Sequence, residues 1–387
     1  MDQGTARRLV ERLQILAATL PRTLLGWVAA ARRPPEGLPP PAPRTWRQAG
    51  EIGVDEFFLA ASAMIRRVPS EEDLLQAMAE TARVAEALEG TAAADLYRQP
   101  EPLIEPTVGE GWAFGTRFER LAYPSGCVLP PALEARAPWS RGYPNAVAHA
   151  VVLRHPGAPR PWVVCVHGAG QGRSTDLVSF RVQHLYRRLG LNVALPVLPL
   201  HGQRAVKGLD VPGMDPVQNV AATLQAVHDI RRLVSWICRQ GAPHVAVYGV
   251  SLGGHTAGIV AGLEPSVGTV VAGVPVTGLA RLLAHQLRRV GGVRGRKLSG
   301  LLASEEALAV DRLIDPLSFA AHPPRERRFI FAGLGDAVTT PRHALELWEH
   351  WERPAILWYP GGHVSHVWSG EVKAFLDAAL GDLAPAA

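Results

Sequence analysis

A β-branched run that leads into a glycine-flanked serine constrains the fold of this chain more than any other stretch. Val245 to Val247 predict a buried strand, and Gly249-Val250-Ser251-Leu252-Gly253 follows almost at once. Small, helix-compatible residues come next, from Thr256 to Val260. A serine on a tight turn between a strand and a helix is held in a strained conformation with its hydroxyl exposed, and small flanking residues let strand and helix pass. The stretch therefore predicts an α/β fold in which Ser251 is a candidate nucleophile.

Strand and helix patterns alternate on both sides of this turn. The continuous apolar run at 161–167 predicts a strand covered on both faces. Further strands are predicted at 192–198, 267–274, 328–332 and 355–359. Helical patterns separate them, for example at 176–189, 215–239 and 341–351. Two half-buried antiparallel strands are predicted earlier, at 114–122 and 145–154. Alternating β and α units imply a mainly parallel sheet with helices on both faces.

The first hundred residues differ from the rest because they carry only helical patterns. Helices are predicted over 5–31, 55–67 and 70–88. A proline-rich break at 34–43 follows the first of them. We expect a helical N-terminal region at 1–108, in which no chemical motif is found, and an α/β domain at 109–387. The interval 275–325 is too long for an ordinary connection and has its own helical segments, which predicts a lid.

The composition is that of a folded globular protein. Hydrophobic residues make up 47% of the 387 positions and charged residues 19%. The net charge is +5, but only three of the 40 basic residues are lysine, and the arginines are scattered in pairs. A nucleic-acid surface would instead cluster basic residues among aromatic ones. The charge pattern therefore argues against a nucleic-acid partner.

The three cysteines, Cys127, Cys165 and Cys238, show neither a CxxC pair nor the histidine spacing of a zinc site. Cys165 falls inside a predicted buried strand, where a free cysteine packs as a small hydrophobe. We expect no metal site and no disulfide framework. A reducing cytoplasm suits this cysteine usage.

The apolar stretch from Leu13 to Ala31 is interrupted by Pro21 and Arg22. It lacks the clean apolar run and the cleavage pattern of a signal peptide. It also falls short of the roughly 20 apolar residues that a membrane-spanning helix needs. We expect an amphipathic helix packed on the domain. The alternative is a helix that lies on the inner face of a membrane, since arginines flank its leucines and Trp27.

Two further polar residues follow later predicted strands at the strand end. Asp336 follows the run 329–332, and His363 follows the run 356–359 through two glycines. Ligands bind at the carboxyl ends of strands in open α/β sheets, so these side chains are expected near Ser251. The order serine, aspartate, histidine is the one that elbow-type hydrolases use. Together these residues predict a nucleophile, a base and the acid that orients the base.

Other residues compete for two of these roles. His366 lies three residues after His363, and we favour His363 because it directly follows the strand-ending glycines. Asp311 and Asp315 lie in or after the lid and could hold a histidine in a variant triad. Neither of them follows a strand, so Asp336 is preferred.

Three more histidines have simpler interpretations. His255 lies one helical turn after Ser251 and is expected to pack or to form a hydrogen bond. His167 is expected to brace the glycine turn that follows its own strand. His201 follows a strand end and is equally compatible with the pocket and with a surface loop.

From about residue 111 to 387 the chain resembles the α/β-hydrolase superfamily, and more loosely its dienelactone-hydrolase-like and prolyl-oligopeptidase-like branches. The matching motifs are Val166-His167-Gly168-Ala169-Gly170, Gly249-Val250-Ser251-Leu252-Gly253-Gly254, Gly335-Asp336 and Gly361-Gly362-His363. The resemblance implies an α/β-hydrolase fold with a helical lid insertion and a helical N-terminal extension. The N-terminal hundred residues lie outside it.

The resemblance also implies roles for these residues. Ser251 would attack an acyl carbon while His363 takes its proton, and Asp336 would orient His363. The backbone N–H groups of Ala169 and Leu252 would form the oxyanion hole. A serine, a histidine and a carboxylate suffice for activation, so no cofactor is expected.

The predicted function is that of a serine esterase, class EC 3.1, which cleaves a small-molecule carboxylic ester or thioester through an acyl-enzyme. A peptidase or an acyltransferase would use the same residues, and a non-catalytic binding protein of the same fold is the alternative outside enzymes. A serine nucleophile departs from the cysteine of dienelactone hydrolases and the aspartate of haloalkane dehalogenases. The turn also lacks the His-Gly-Gly-Gly of many lipases. Apolar lid residues favour a hydrophobic acyl group; they are Leu279, Leu282, Leu283, Leu301 and Leu302. The oligomeric state is left open.

Overall fold

The computed structural model of the chain describes residues 16–30, 44–65, 70–290 and 292–383. The proline-rich break at 34–43 and the first part of the helix expected at 5–31 lie outside the described residues. Everything from residue 70 onward is described except position 291 and the last four residues.

The described residues form one nine-stranded sheet with the order β1-β2-β3-β5-β4-β6-β7-β8-β9. The strands are β1 Thr107–Ala113, β2 Thr116–Pro124, β3 Val147–Leu153, β4 Trp162–Val166, β5 Asn192–Val197, β6 Val245–Val250, β7 Val267–Gly273, β8 Arg328–Gly333 and β9 Ala355–Tyr359. The first three strands and β5 pair antiparallel, and β5, β4, β6, β7, β8 and β9 pair parallel. The predicted α/β class with a mainly parallel sheet is confirmed.

Helices connect and cover the strands, with short 3₁₀ turns between them. They are α1 Thr19–Ala30, α2 Trp46–Ile65, α3 Glu71–Ala87, α4 Pro131–Glu134, α5 Asp176–Ser179, α6 Val182–Arg187, α7 Pro216–Arg239, α8 Leu252–Leu263, α9 Leu279–Val290, α10 Gly292–Leu301, α11 Glu305–Arg312, α12 Thr340–His350 and α13 Gly370–Gly381. Helices α7, α8 and α12 pack on one face of the sheet, and α6 and α13 pack on the other.

The core lies on both faces of the central parallel strands. Every residue of β4 and β6 is buried, as the continuous apolar runs predict for strands covered twice. Register aligns the two strands so that Val166 faces Gly249, and both strands end at the same edge of the sheet. The carboxyl ends of the parallel strands, where Ser251, Asp336 and His363 follow, are thereby placed side by side.

One local prediction was wrong, and one strand was missed. The strand expected at 114–122 is present as β2, but it begins at Thr116, and the preceding strand β1 was not predicted. Phe114 and Gly115 adopt positive φ angles of 48° and 70° and turn the chain between β1 and β2. The helix expected at 176–189 is two short helices, since Arg181 takes a left-handed conformation between them. In both cases a non-glycine residue occupies a backbone region that side chains rarely adopt, so sequence patterns gave no warning.

The third N-terminal helix packs against the helices of 275–325, the segment for which a lid is predicted. Ser70 and Asp73 form a capping box that begins α3. Leu74 of α3 then shares a hydrophobic cluster with Leu283, Leu287 and Leu298 of the lid helices α9 and α10. We call α3 and the lid helices α9, α10 and α11 together the helical cap. The domain boundary at residue 108 stays a prediction.

The lid leucines are used for packing rather than for lining an open space. Leu283 and Leu302 belong to the cluster inside the helical cap, and Leu279 and Leu282 belong to the main core. Leu301 packs against the helical cap cluster and is partly buried. These leucines therefore give no support for a hydrophobic acyl group.

The first two described helices form a hairpin, which we call the N-terminal hairpin. Trp27 of α1 and Trp46 of α2 contact each other with ring centroids 5.4 Å apart. The outer face of the hairpin is apolar and open to solvent, with Leu20 and Leu25 exposed by 68% and 70%. In the described ranges, no helix is both long enough and apolar enough to cross a membrane.

Candidate active site

Ser251 sits on the turn between β6 and α8 in a strained conformation, with φ 59° and ψ −119°. The two flanking glycines are required by close backbone approach. A Cβ on Gly249 would lie 1.9 Å from the carbonyl oxygen of Gly253, and a Cβ on Gly253 would lie 1.9 Å from that of Val166. Backbone strain of this kind persists only where the surrounding structure imposes it, and it is concentrated at functional sites.

The backbone around Ser251 is held by two neighbouring strand ends. Its N–H donates to the carbonyl of Gly273, at the end of β7, over 2.8 Å. On the other side, a Cβ on Gly168 would lie 3.3 Å from the Cβ of Ser251. The serine therefore lies between the end of β7 and the glycine turn that follows β4.

His167 holds that glycine turn in place through hydrogen bonds at both of its ring nitrogens. Its Nδ1 donates to the carbonyl of Gly168 at 2.8 Å, and its Nε2 accepts the N–H of Leu198 at 3.1 Å. Burial lowers the pKa of His167 to about 3, so the ring is neutral and can act as donor and acceptor at once. The bracing role predicted for His167 is confirmed. His201, which sequence left open, is buried beside it with ring centroids 5.1 Å apart.

Two backbone N–H groups next to Ser251 are left available. Gly168 donates its own N–H to the side chain of Gln171 at 2.7 Å. The N–H groups of Ala169 and Leu252 have no hydrogen-bond partner in the parts of the chain that the structure describes. Leu252 is the first residue of α8, so its N–H has no acceptor within the helix. The N-terminus of a helix also attracts negative charge.

Asp336 and His363 form a buried pair. His363 Nδ1 donates to Asp336 Oδ2 over 2.8 Å, and the side chains are 8% and 2% exposed. The other carboxylate oxygen, Oδ1, accepts the N–H groups of Val338 and Thr339, each at 2.8 Å. The loop after β8 thus fixes the carboxylate before the histidine binds it.

The two groups shift each other's pKa in opposite directions. Burial works against the charged imidazole, but the charge and hydrogen bond of Asp336 outweigh it and raise the pKa of His363. Burial would likewise raise the pKa of Asp336, yet His363 and the donors from Thr339 hold it below its usual value. The pair is therefore arranged to stabilise an imidazolium next to a carboxylate.

The pair and the serine flank the same dipeptide at the end of β7. The Thr339 hydroxyl donates to Asp336 Oδ2 at 2.9 Å, and its oxygen also lies 3.4 Å from the carbonyl oxygen of Val274. Val274 follows Gly273, the residue that binds the N–H of Ser251, and has a positive φ of 38°. No hydrogen bond joins the Ser251 hydroxyl to His363 within the described residues. Catalytic hydrogen bonds often form only once substrate is bound.

The competing candidates lie elsewhere in the network. His366 donates Nδ1 to the carbonyl of His363 at 2.7 Å, and burial lowers its pKa to about 4. Asp311 accepts the first N–H groups of helix α9, and burial raises its pKa to about 7. Asp315 accepts the N–H of Leu317. Neither aspartate forms a hydrogen bond to a histidine among the described residues.

His255 has the packing and hydrogen-bonding role expected of it. The side chain is fully buried in α8 and its Nδ1 donates to the carbonyl of Val276 at 3.2 Å. Burial lowers its pKa to about 4. Across the described ranges, no group of three or more histidine, cysteine, aspartate or glutamate side chains is placed to hold a metal ion.

One polar residue at the site was missed by the sequence analysis. Asp55, from helix α2 of the N-terminal hairpin, is fully buried against the two loops that carry Asp336 and His363. Its Oδ2 accepts the N–H of Ala337 at 3.1 Å and of His363 at 2.5 Å, and its Oδ1 accepts that of Val364 at 2.9 Å. The one available signal is a pair of adjacent acids, Asp55 and Glu56, inside an otherwise apolar helical run.

The loops are shaped to receive this helix. A Cβ on Gly362 would lie 2.6 Å from Asp55 Oδ2, and a Cβ on Gly335 would lie 2.9 Å from the side chain of Ile52. Burial and the charge of Asp336 raise the pKa of Asp55 to about 6, although His363 and the backbone donors act in the opposite direction. The glycines that we assigned to strand ends thus also make room for α2.

A family model described as "Alpha/beta hydrolase domain containing 18" matches residues 144–279. The matched span includes Ala169, Ser251 and Leu252 and ends before Asp336 and His363. An uncharacterized protein of Mycobacterium tuberculosis, found in two strains, is 41% identical to this chain over 290 residues. That alignment covers 73% of this chain and 69% of the relative.

Two solved structures extend the comparison to the fold. Acetyl xylan esterase 1 from a Thermoanaerobacterium species superposes with a TM-score of 0.50 at 17% identity, over 79% of this chain and 93% of the other. An acetyl xylan esterase from a Paenibacillus species gives a TM-score of 0.45 at 16% identity, over 77% and 92% of the two chains. At 17% identity, the likeness to the first of these two structures is one of fold.

Proposed function

The chain belongs to the α/β-hydrolase superfamily, and from this premise we propose that it is a serine hydrolase that cleaves carboxylic esters or thioesters. The observation that carries the proposal is the buried hydrogen bond between Asp336 and His363, at the sheet edge where the strained turn presents Ser251. A histidine that donates Nδ1–H to a carboxylate leaves Nε2 free to accept a proton.

The proposed reaction has two steps. Ser251 Oγ attacks the acyl carbon while its proton passes to His363 Nε2, and the imidazolium then gives that proton to the departing alcohol or thiol. In the second step a water molecule attacks the acyl-serine, and the same histidine moves the proton from water back to Ser251. Asp336 keeps its negative charge throughout and stabilises the imidazolium.

The oxyanion that forms in each step needs two donors. The N–H groups of Ala169 and Leu252, which have no partner in the described residues, are proposed for this role. Losing one such donor typically lowers the rate by about 10²–10³. The brace from His167 to Gly168 supports the proposal because it fixes the turn that carries Ala169.

Labelling with a fluorophosphonate probe tests the nucleophile. We expect strong labelling of the wild type and none of Ser251→Ala, while Ser266→Ala, a matched change at an exposed serine, labels normally. Absence of labelling in folded wild-type protein would favour a non-catalytic binding role instead. A panel of p-nitrophenyl esters of graded length, with thioester and amide analogues, then separates esterase from thioesterase and peptidase activity.

Contact with a membrane surface is proposed for the N-terminal hairpin. Its exposed apolar face includes Leu20, Leu24 and Leu25 on α1 and Phe57 on α2. Residues 1–47 contain eight arginines and three acids, a charge balance that suits anionic lipid. A cytoplasmic protein that binds the inner face of the membrane would fit both observations.

A further inference from the structure

The N-terminal hairpin meets the active-site loops through one carboxylate. Asp55 accepts three backbone N–H groups, two from the loop after β9 and one from the loop after β8. These are the loops that carry His363 and Asp336. A carboxylate that bridges two loops fixes their spacing, and the hydrogen bond from His363 to Asp336 depends on that spacing.

We propose that Asp55 is a positioning residue, which holds the loops of Asp336 and His363 at the separation that the catalytic pair requires. The inference rests on the proposed function, since it assigns to the first hundred residues a part in the same site. The side chain does not touch a reacting atom. It acts on the backbone of His363 directly, through the N–H of that residue.

Only an ionised aspartate satisfies this geometry. Both oxygens accept, so the group needs acceptor capacity on each side. Asparagine would keep one oxygen and turn an NH₂ group toward a backbone N–H. Glutamate would not fit, because Gly362 already approaches so closely that a Cβ there would lie 2.6 Å from the carboxylate.

The helix that carries Asp55 is itself anchored on both sides. The next residue, Glu56, is fully buried and forms ion pairs with Arg22 of α1 and Arg289 of α9. Arg289 also donates to the carbonyl of Ala337 at 2.5 Å. Gln48, earlier on α2, donates to the carbonyl of Pro360 at 3.0 Å. Asp55 is therefore fixed relative to the sheet and can transmit that position to the loops.

The test compares Asp55→Asn with Asp215→Asn. Asp215 is the control, because its carboxylate accepts two backbone N–H groups, those of Val217 and Gln218, where that of Asp55 accepts three. It caps α7 and forms no hydrogen bond to either catalytic loop among the described residues. We expect Asp55→Asn to lower kcat by about 10²-fold, the effect of a misplacement of roughly 1 Å, with KM changed less than threefold. Asp215→Asn should keep kcat within twofold, with melting temperature measured for both.

The inference is overturned if folded Asp55→Asn retains kcat within twofold. It is also overturned if Asp215→Asn, at an equal drop in melting temperature, loses as much kcat. A structural role alone would lower the fraction of folded enzyme in proportion to stability and would leave kcat per folded molecule unchanged.

Hydrogen exchange gives a second measurement that needs no turnover. In Asp55→Asn we expect faster amide exchange in peptides that cover 336–339 and 361–366, whereas Asp215→Asn should affect only the start of α7. Unchanged exchange in the two loops would refute the positioning role whatever the activity. Faster loop exchange in Asp55→Asn, combined with a wild type that has no hydrolase activity, would support the positioning role and reject the proposed function.

Discussion

Thr339 and His363 donate to the same carboxylate oxygen of Asp336, over 2.9 Å and 2.8 Å. The second oxygen is occupied by the N–H groups of Val338 and Thr339. Four donors therefore converge on one carboxylate, three of them from its own loop. Because that loop holds the carboxylate on both sides, the direction in which it faces His363 is set before any substrate arrives.

Asp336→Asn should lower kcat/KM by about 10⁴-fold, since an amide cannot hold the imidazole in the tautomer that leaves Nε2 free. Thr339→Val is a milder change at the same carboxylate. It keeps the carboxylate and removes one hydrogen bond, so we expect a loss on the order of tenfold. Steady-state hydrolysis of a p-nitrophenyl ester measures both. Near-wild-type rates in Asp336→Asn, with loss in Asp311→Asn or Asp315→Asn, would show that the acid was assigned wrongly.

The rate should fall as the pH is lowered, because His363 must be neutral to accept the proton of Ser251. Asp336 outweighs burial and, with a further contribution from Asp55, raises the pKa of His363 above 6.5. We therefore expect the acid limb of log kcat/KM to have its midpoint above pH 6.5. In Asp336→Asn only burial and Asp55 remain, so the midpoint should move to lower pH. A wild-type midpoint below 6.5, or one that Asp336→Asn leaves in place, contradicts the pairing.

The same pair should make stability depend on pH with a defined sign. Folded His363 binds its proton more tightly than the unfolded chain does, so this stabilisation is fully present below about pH 6.5 and is lost as the pH rises through the folded pKa. The free energy of unfolding that Asp336→Asn loses should accordingly be larger at about pH 5.5 than at about pH 9. Urea unfolding of both proteins at the two pH values measures it, and an equal loss at both would argue against a charged pair.

The fold and the core of the candidate site could be predicted because their signals are local. The strand, turn and helix around Ser251 occupy fewer than twenty consecutive residues, and Asp336 and His363 each follow their own strand. Parallel strands bring their carboxyl ends to one edge, so sequence order alone indicated that the three would be neighbours.

Asp55 could not be predicted because its partners lie about 280 to 310 positions away. Nothing in the helical pattern of α2 shows which face meets the loops, and a carboxylate on an amphipathic helix is normally solvent-exposed. The acyl-binding role predicted for the lid leucines was wrong for the same reason. Their apolar character was visible, but only the packing against Leu74 shows that it is used inside the helical cap.

Removing the charge of Glu56 should destabilise the protein far more than breaking an exposed ion pair. Glu56 has no exposed surface and pairs with Arg22 and Arg289, so Glu56→Gln removes the negative charge that both arginines contact. We expect a loss toward the lower end of about 3–5 kcal/mol, because both arginines keep some access to water. Lys297→Ala breaks a pair whose side chains are 69% and 51% exposed and should cost less than about 1 kcal/mol. Urea unfolding that gives similar values for the two would mean that the buried cluster does not anchor the hairpin.

The outer face of the N-terminal hairpin should bind anionic lipid. Sedimentation with phosphatidylglycerol vesicles is expected for the wild type and should weaken as salt is added, because the arginines of residues 1–47 contribute through charge. Replacing Leu20 and Leu25 by serine should reduce binding by on the order of tenfold per residue, since burying a leucine contributes about 1.5–3 kcal/mol. Both side chains are about 70% exposed, so the change should leave the fold intact.

The double variant Ile104→Ser, Val108→Ser is the matched control. Both are apolar side chains outside the hairpin, and they are 60% and 52% exposed. This double variant should sediment like the wild type. If the protein binds neutral phosphatidylcholine as strongly as phosphatidylglycerol, the arginine charges do not contribute to lipid binding. Wild-type protein that stays in the supernatant with both lipids would reject the membrane contact. Esterase activity that the leucine variant retains would show that lipid binding and the chemistry at Ser251 are separate properties of the chain.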